Sequence, residues 1–313
     1  MDGSSGHPRL AVTGALMDFM PDYWPAPAKL NLFLHVLGRR EDGYHRLQTL
    51  FQFVDLHDRI WIRPREDGRI VRRGGLAGLN PERDLAIRAA RLLQAHAQCR
   101  RGAEITIEKH IPVGGGLGGG SSDAATVLLA LNEAWGIGLD LDALADLGLE
   151  LGADVPVFVR GEAAWAEGVG ERLTPVSNAD LEQSWYLVVA PECGVSTAAI
   201  FADLKLTRHT PPITIRAFLS GQPGVPRRND LEAAARRLCP EVGFALDWLA
   251  RQPEASSPRM TGSGACVFAV CASRAVAQGL AERVPAPWRG FVVQGRNRSA
   301  LHEVRVRMRA SGH

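Results

Sequence analysis

Several scarcities bound the reading of this 313-residue chain. No apolar run reaches the roughly 18–20 residues that a membrane helix needs, so a membrane protein is not expected. Cysteine is sparse. Cys99, Cys193, Cys239, Cys266 and Cys271 are odd in number, scattered and without a CxxC pair. That pattern argues against a disulfide framework and a zinc site, and fits a reducing cytoplasm. Charge of one sign is also missing. The net charge of +2 gives no bulk positive field of the kind that drives nucleic-acid binding. Lysine is nearly absent: Lys29, Lys109 and Lys205 stand against 33 arginines. A lysine kept in so arginine-rich a chain suggests a need for a compact ammonium, which a planar guanidinium does not replace.

What is present suits a globular protein of one large or two medium domains. Hydrophobic residues make up 46% and charged residues 22% of the chain. Residues 1–23 read as a flexible extension, with Gly3, Ser4, Ser5 and Gly6 near its start. Asp2 and Asp18 spoil a targeting signal, and Met17 and Met20 are alternative starts. From Ala28 to Val36 leucine and valine alternate with Lys29, Asn31, Phe33 and His35, the pattern of a half-buried strand. Lys29 and Asn31 then share a face. Strands are also expected at Leu47–Val54, Arg59–Arg63, Ala103–Lys109, Val155–Val159, Trp185–Ala190, Cys266–Cys271 and Gly290–Gln294. Helices are expected at Asp84–Ala97, Ser121–Trp135, Leu141–Leu151, Ser196–Asp203, Ile213–Leu219, Leu231–Leu238, Glu241–Ala250 and Ser273–Arg283. The tail, with Arg305, Arg307 and Arg309 alternating, reads as a polar edge strand. The mixture lacks a regular βαβ repeat, which favours α+β. The boundary falls in Thr174–Glu182, dividing 24–178 from 179–313.

The most informative segment is Pro112-Val113-Gly114-Gly115-Gly116-Leu117-Gly118-Gly119-Gly120-Ser121-Ser122-Asp123. Glycines let backbone N–H groups approach an anion closely. The helix that follows adds free N–H donors and a positive dipole end, with Ser121 and Ser122 as candidate caps. A Walker A loop is excluded, because no lysine follows the glycines. Gly114, Gly116 and Gly119 also satisfy GxGxxG, a weak pattern in so glycine-rich a stretch, so a dinucleotide-dependent oxidoreductase stays open.

This loop resembles the phosphate-binding motif of the GHMP small-molecule kinases. Two further motifs of that family follow the right order, Pro27-Ala28-Lys29-Leu30-Asn31 and Thr261-Gly262-Ser263-Gly264-Ala265-Cys266. The resemblance covers roughly Trp24 to His302. It implies a ribosomal protein S5 domain 2-like N-terminal domain and an α/β-sandwich C-terminal domain, with the active site in the cleft between them. It implies ATP as co-substrate, with magnesium, whose ligands the sequence does not name. It places ATP on Lys109 and on 112–122. It makes Asp154, in Leu151-Gly152-Ala153-Asp154-Val155-Pro156, the base that takes the alcohol's proton, with Lys29 beside it. Asp42-Gly43-Tyr44-His45 resembles the members that act on a cytidine diphosphate alcohol. Tyr44 and Phe201 would then stack on cytosine, and His45 would read its edge. Asn31, Thr197, Gly262, Ser263 and Gly264 would complete the substrate side. Other members, acting on mevalonate, homoserine or a sugar, and an inactive nucleotide-binding regulator are the alternatives. No nucleic-acid or membrane partner is implied, and no oligomeric state is set.

Overall fold

The structure is a computed structural model that describes residues 21–74 and 80–311. Residues 1–20 of the expected extension lie outside it. Tyr23, at the extension's end, is packed: its ring stacks on His57 at 5.9 Å and meets Trp61 at 6.0 Å.

Strand β1 (Trp24–Arg39) and strand β2 (His45–Arg65) form a long antiparallel pair. The two strands expected at Leu47–Val54 and Arg59–Arg63 are one continuous strand. β1 is not half-buried but buried on both faces from Trp24 to Val36. It threads three apolar clusters in turn, through Trp24 and Ala26, then Ala28–Phe33, then Leu34 and Val36. β2 carries β4 (Gly102–Glu108), and β3 (Ile70–Gly74) joins β4 in parallel. β5 (Ala164–Glu167) pairs with the start of β2 and with β6 (Arg172–Pro175). The second half adds β7 (Trp185–Ala190), β8 (Ala255–Met260), β9 (Val267–Cys271) and β10 (Arg289–Arg296). The main path of the sheet runs β3-β4-β2-β10-β7-β9-β8. Gly295 and Arg296 of β10 pair with Val54 and Phe53 of β2, and this short ladder joins the two halves.

Helices α1 (Leu85–His96), α2 (Gly119–Ala134), α3 (Leu141–Leu149) and α4 (Val155–Arg160) cover the first half. Every residue of α2 from Ser122 to Leu131 is buried, so this helix is core on all sides. α5 (Thr197–Ala202), α6 (Ile215–Leu219), α7 (Glu232–Leu238), α8 (Pro240–Ala250), α9 (Arg274–Ala281) and α10 (Ala300–Ser311) follow.

Two expected strands are helices. Val155–Val159 lies in α4. Pro156 occupies the first turn, where its fixed φ suits a helix and its missing N–H costs nothing. Gly161, at φ 71°, ends the helix. Five valine, proline and phenylalanine side chains read locally as a strand, but all five are buried between other elements. The arginine-rich tail lies in α10. Leu301, Val304, Arg305 and Met308 recur at i, i+3, i+4 and i+7, and the apolar three pack against the first half's core. Cys193 and Cys239 are disulfide-bonded, contrary to the expectation of unpaired thiols. The loop before α5 and the junction of α7 and α8 meet in space, although 46 positions separate them. Among the described residues no helix is long and apolar enough to cross a membrane.

Candidate active site

A cleft of about 620 Å³ opens where the glycine loop, β1, α4 and α5 face the second glycine loop. One end of it is built by the entry to α2. Gly118 is the N-cap, with φ 76° in the left-handed region, and no side chain caps the helix. Ser121 and Ser122 are therefore not caps but lie inside the first turns. The N–H groups of Gly119, Gly120 and Ser121 have no carbonyl one turn back to bond. No acidic residue lies in that turn, so the positive end of the helix faces the cleft undiminished.

The loop is also a joint. Ala265 N donates to Gly114 O at 3.2 Å and Cys266 N to Gly115 O at 3.1 Å. A Cβ on Gly116 would lie 2.2 Å from Thr261 O. Thr261, absent from the sequence-derived site residues, links three elements. Its Oγ1 accepts from Asn31 N at 3.0 Å and donates to Gly116 O at 3.4 Å. The signal was available, since Thr261 begins the second glycine motif.

Lys29 sits at the centre, 2% exposed. Its Nζ donates to Asn31 Oδ1 at 2.5 Å and Gly116 O at 3.2 Å, and lies 3.3 Å from Asp154 Oδ2. Alternation on β1 brings Lys29 and Asn31 to one face, as read from the sequence. Asp154 occupies the N-cap position of α4 but makes no capping bond. Its side chain points instead to Lys29 and remains 35% exposed, open to the cleft.

Lys109 is differently placed. Its Nζ donates to Asp58 and to Asp123 Oδ2, the latter at 2.6 Å. Asp58 also accepts from the backbone of His110 and Ile111. Burial opposes the charge on Lys109, but Asp123 and Asp58 outweigh it and hold the ammonium above its ordinary pKa. Burial, reinforced by Asp58 and opposed by Lys109, pushes the Asp123 carboxyl up to about 7. Lys109 thus faces two carboxylates before any phosphate. Asp84 has a structural task. It caps α1 through Ala86 N at 3.0 Å and pairs with Arg72 at 2.9 Å.

At the far end, Thr197 Oγ1 and Ser263 Oγ are 2.7 Å apart, tying α5 to the second glycine loop. Phe201, one turn along α5, lines the cleft. His45 stacks on Phe201 with centroids 4.9 Å apart. Burial first, then the charges of Arg208 and Arg39, lower the His45 pKa. Three residues proposed from sequence do not line the cleft. Tyr44 stands 63% exposed on its turn, His45 is largely buried beside Phe201, and Ser122 is fully buried in α2. The other proposed residues all line it. Asn229, missed in the sequence, holds the second loop through Met260 O and Gly262 O at 2.9 and 2.8 Å.

The family models for the GHMP kinases N terminal domain and the GHMP kinases C terminal match residues 84–162 and 217–290. The 4-diphosphocytidyl-2-C-methyl-D-erythritol kinase of Halorhodospira halophila is 54% identical, covering 89% of this chain and 94% of its own. That of Alkalilimnicola ehrlichii is 56% identical, covering 87% and 90%. A crystal structure of 4-(cytidine 5'-diphospho)-2C-methyl-D-erythritol kinase superposes with a TM-score of 0.76 at 37% identity, covering 87% of this chain and 98% of that one. A mevalonate kinase shares the fold, with a TM-score of 0.64 at 16% identity, covering 88% of this chain and 100% of that one. At these identities and coverages the chain belongs to the GHMP kinases, within their 4-diphosphocytidyl-2-C-methyl-D-erythritol kinase family.

Proposed function

We propose that the chain transfers the γ-phosphoryl group of ATP to the 2-hydroxyl of 4-diphosphocytidyl-2-C-methyl-D-erythritol, a step of the non-mevalonate route to isoprenoid precursors. The observation that carries this reading is the Lys29–Asp154 pair, 3.3 Å apart, at the mouth of the α2 N-terminus. Phosphoryl transfer needs positioning and neutralisation of the transferring oxygens more than covalent help. The open N–H groups of Gly119, Gly120 and Ser121 supply donors for the triphosphate. Asp154 accepts the hydroxyl proton as the alcohol oxygen bonds to the γ-phosphorus. The bond from that phosphorus to the β–γ bridging oxygen breaks, and ADP leaves. Lys29, anchored by Asn31 and Gly116, fixes the Asp154 carboxylate and lends positive charge to the transferring group.

Magnesium fits this donor set without a site of its own. Among the described residues no three His, Cys, Asp or Glu cluster as a metal cage. Magnesium commonly keeps several waters and binds through phosphates and one or two protein oxygens. With Asp154 committed to Lys29 and to the proton, the Ser121 hydroxyl is the cleft oxygen that would help to hold it. Bound there, it would neutralise phosphate charge. Work in the cytoplasm, where ATP is supplied, suits this reading.

The test is direct. Purified protein with ATP, magnesium and the cytidine diphosphate alcohol should form ADP and a new phosphate monoester, followed by 31P NMR. Mevalonate, homoserine and galactose should be poor acceptors. Asp154→Asn keeps the shape and removes the proton acceptor, so kcat should fall by about 10²–10⁴ with little change in substrate KM. Near-normal kcat in a folded Asp154→Asn enzyme, measured where chemistry limits the rate, would remove the base from the mechanism.

A further inference from the structure

Arg208, in the loop after α5, was not singled out in the sequence. Its guanidinium grips the nucleoside end of the cleft at four points. Nε donates to His45 Nε2 at 3.1 Å, Nη2 to Phe201 O at 3.0 Å and Asp203 O at 2.9 Å, and Nη1 to Leu206 O at 3.3 Å. One side chain therefore ties the start of β2 to the C-terminal end of α5. All four acceptors are uncharged atoms.

The bond to His45 fixes a proton. A guanidinium only donates, and it keeps its charge at any ordinary pH. His45 Nε2 must therefore present its lone pair. The ring is neutral and its hydrogen sits on Nδ1. The lowered pKa of His45 agrees, with burial as the main cause. Nδ1 has no partner among the described residues, and it is not one of the buried orphan atoms, so it remains accessible.

The stacking geometry gives that donor a direction of use. The His45 and Phe201 rings are within 24° of parallel, with centroids 4.9 Å apart. For a face-to-face contact of about 3.5 Å, the histidine is displaced sideways by roughly 3 Å. It covers only part of the Phe201 face. A flat base on the remainder would share the histidine's layer, edge to edge with it.

We propose that Arg208 is a positioning residue for pyrimidine recognition: it locks His45 as the Nδ1–H tautomer, so that the imidazole donates to N3 of a cytosine stacked on Phe201. Cytosine N3 is an acceptor, whereas uracil N3 carries a hydrogen and would meet donor with donor. The inference rests on the cytidine reading of the substrate and adds what holds His45 in the form that such a reading needs.

The test joins a spectroscopic and a kinetic measurement. In 15N-histidine-labelled wild-type protein, long-range 1H–15N spectra should show His45 with a protonated Nδ1 and a bare Nε2. Arg208→Gln should yield a mixture of tautomers. For the same variant, KM for the cytidine diphosphate alcohol should rise several-fold, by the inverse of the fraction left as the Nδ1–H tautomer. Its preference over the uridine analogue should fall by a similar factor. The kcat and the KM for ATP should stay at wild-type values, which a general loss of structure would not allow. A hydrogen on Nε2 in the wild type would overturn the proposal without any variant. So would an unchanged base preference in Arg208→Gln, or equal losses for ATP and alcohol. Failure of the wild type to phosphorylate the cytidine alcohol at all would overturn the functional reading, and this inference with it.

Discussion

Asp123 carries the clearest electrostatic tension of any single residue near the cleft. It shares Lys109 with Asp58, and its Oδ1 is buried without a partner. In an unfolded chain its pKa is about 3.9, and in the folded protein burial and Asp58 raise it to about 7. Between those values folding takes up a proton. The contribution of this group is thus most favourable below about pH 4 and is lost as pH rises through about 7. Asp123→Asn removes the titration but keeps an oxygen for Lys109. The melting temperature of the variant relative to wild type should therefore climb steadily from pH 5 to pH 8. Parallel curves for the two proteins would place the proton elsewhere. At this scale the sequence was readable where rarity or local alternation marked a residue. Lys29 was one of three lysines, and Asn31 lay two positions along the same strand. The partners of Lys109 were not readable, because Asp58 lies 51 positions away and meets it only when β2 and β4 pair. Arg208 was hidden among 33 arginines, with nothing local to distinguish it.

Helix α2 and its glycine loop show what an element adds to a motif. From sequence, the glycines read as room for phosphate. The structure gives some of them a packing task instead. Gly116, at φ 74°, is packed against the carbonyl of Thr261, and Gly118, at φ 76°, against Phe158 and the stem of Lys29. Gly116→Val should therefore impair folding as well as ATP binding, and is a poor probe of phosphate contact. Gly120 is the better one. It is helical, and a Cβ there meets only Leu85 Cδ1 at 3.6 Å. Gly120→Glu should leave the melting temperature intact or slightly higher, since acidic side chains suit a helix N-terminus. The same charge opposes a triphosphate, so KM for ATP should rise at least about tenfold, taking roughly 1.4 kcal/mol of repulsion. Unchanged ATP kinetics in this variant would move the nucleotide away from α2. Helix α4 marks the limit of local reading. Its valines favour a strand by propensity, and burial against α3, where Val155 lies against Gly148, overrides that preference. The tail failed for a related reason. Alternating arginines were visible, but the spacing of Leu301, Val304 and Met308 gains meaning only once the first half offers a surface to bury them.

Across the whole molecule, the two halves are joined by more than a linker. β10 leaves the second half's ladder, pairs with β2, and delivers α10 onto the first half. Leu301 is fully buried there among residues of the first half. His302 reaches Val159 O at 2.7 Å, and Arg305 pairs with Glu133 at the end of α2 at 3.0 Å. A shared cluster adds Leu30, Phe33 and Leu50 of β1 and β2 to Val188, Phe268 and Val293 of the second half. The cleft lies across this junction, so anything that loosens it separates the first glycine loop from Thr261 and the second glycine loop. Leu301→Ala opens a cavity in the first half from the far end of the chain. Such a change in a buried site costs about 2–5 kcal/mol. Because the shared cluster and the β2–β10 ladder couple the halves, the variant should still unfold in one transition, shifted down as a unit, when followed by tryptophan fluorescence and by circular dichroism. Trp24 and Trp135 report on the first half, and Trp185 and Trp248 on the second. Single-tryptophan versions that melt together at the lower temperature would place the cooperative unit across both halves. Separate melting, with only the first half destabilised, would make the halves independent domains and leave the cleft's integrity to its loops alone.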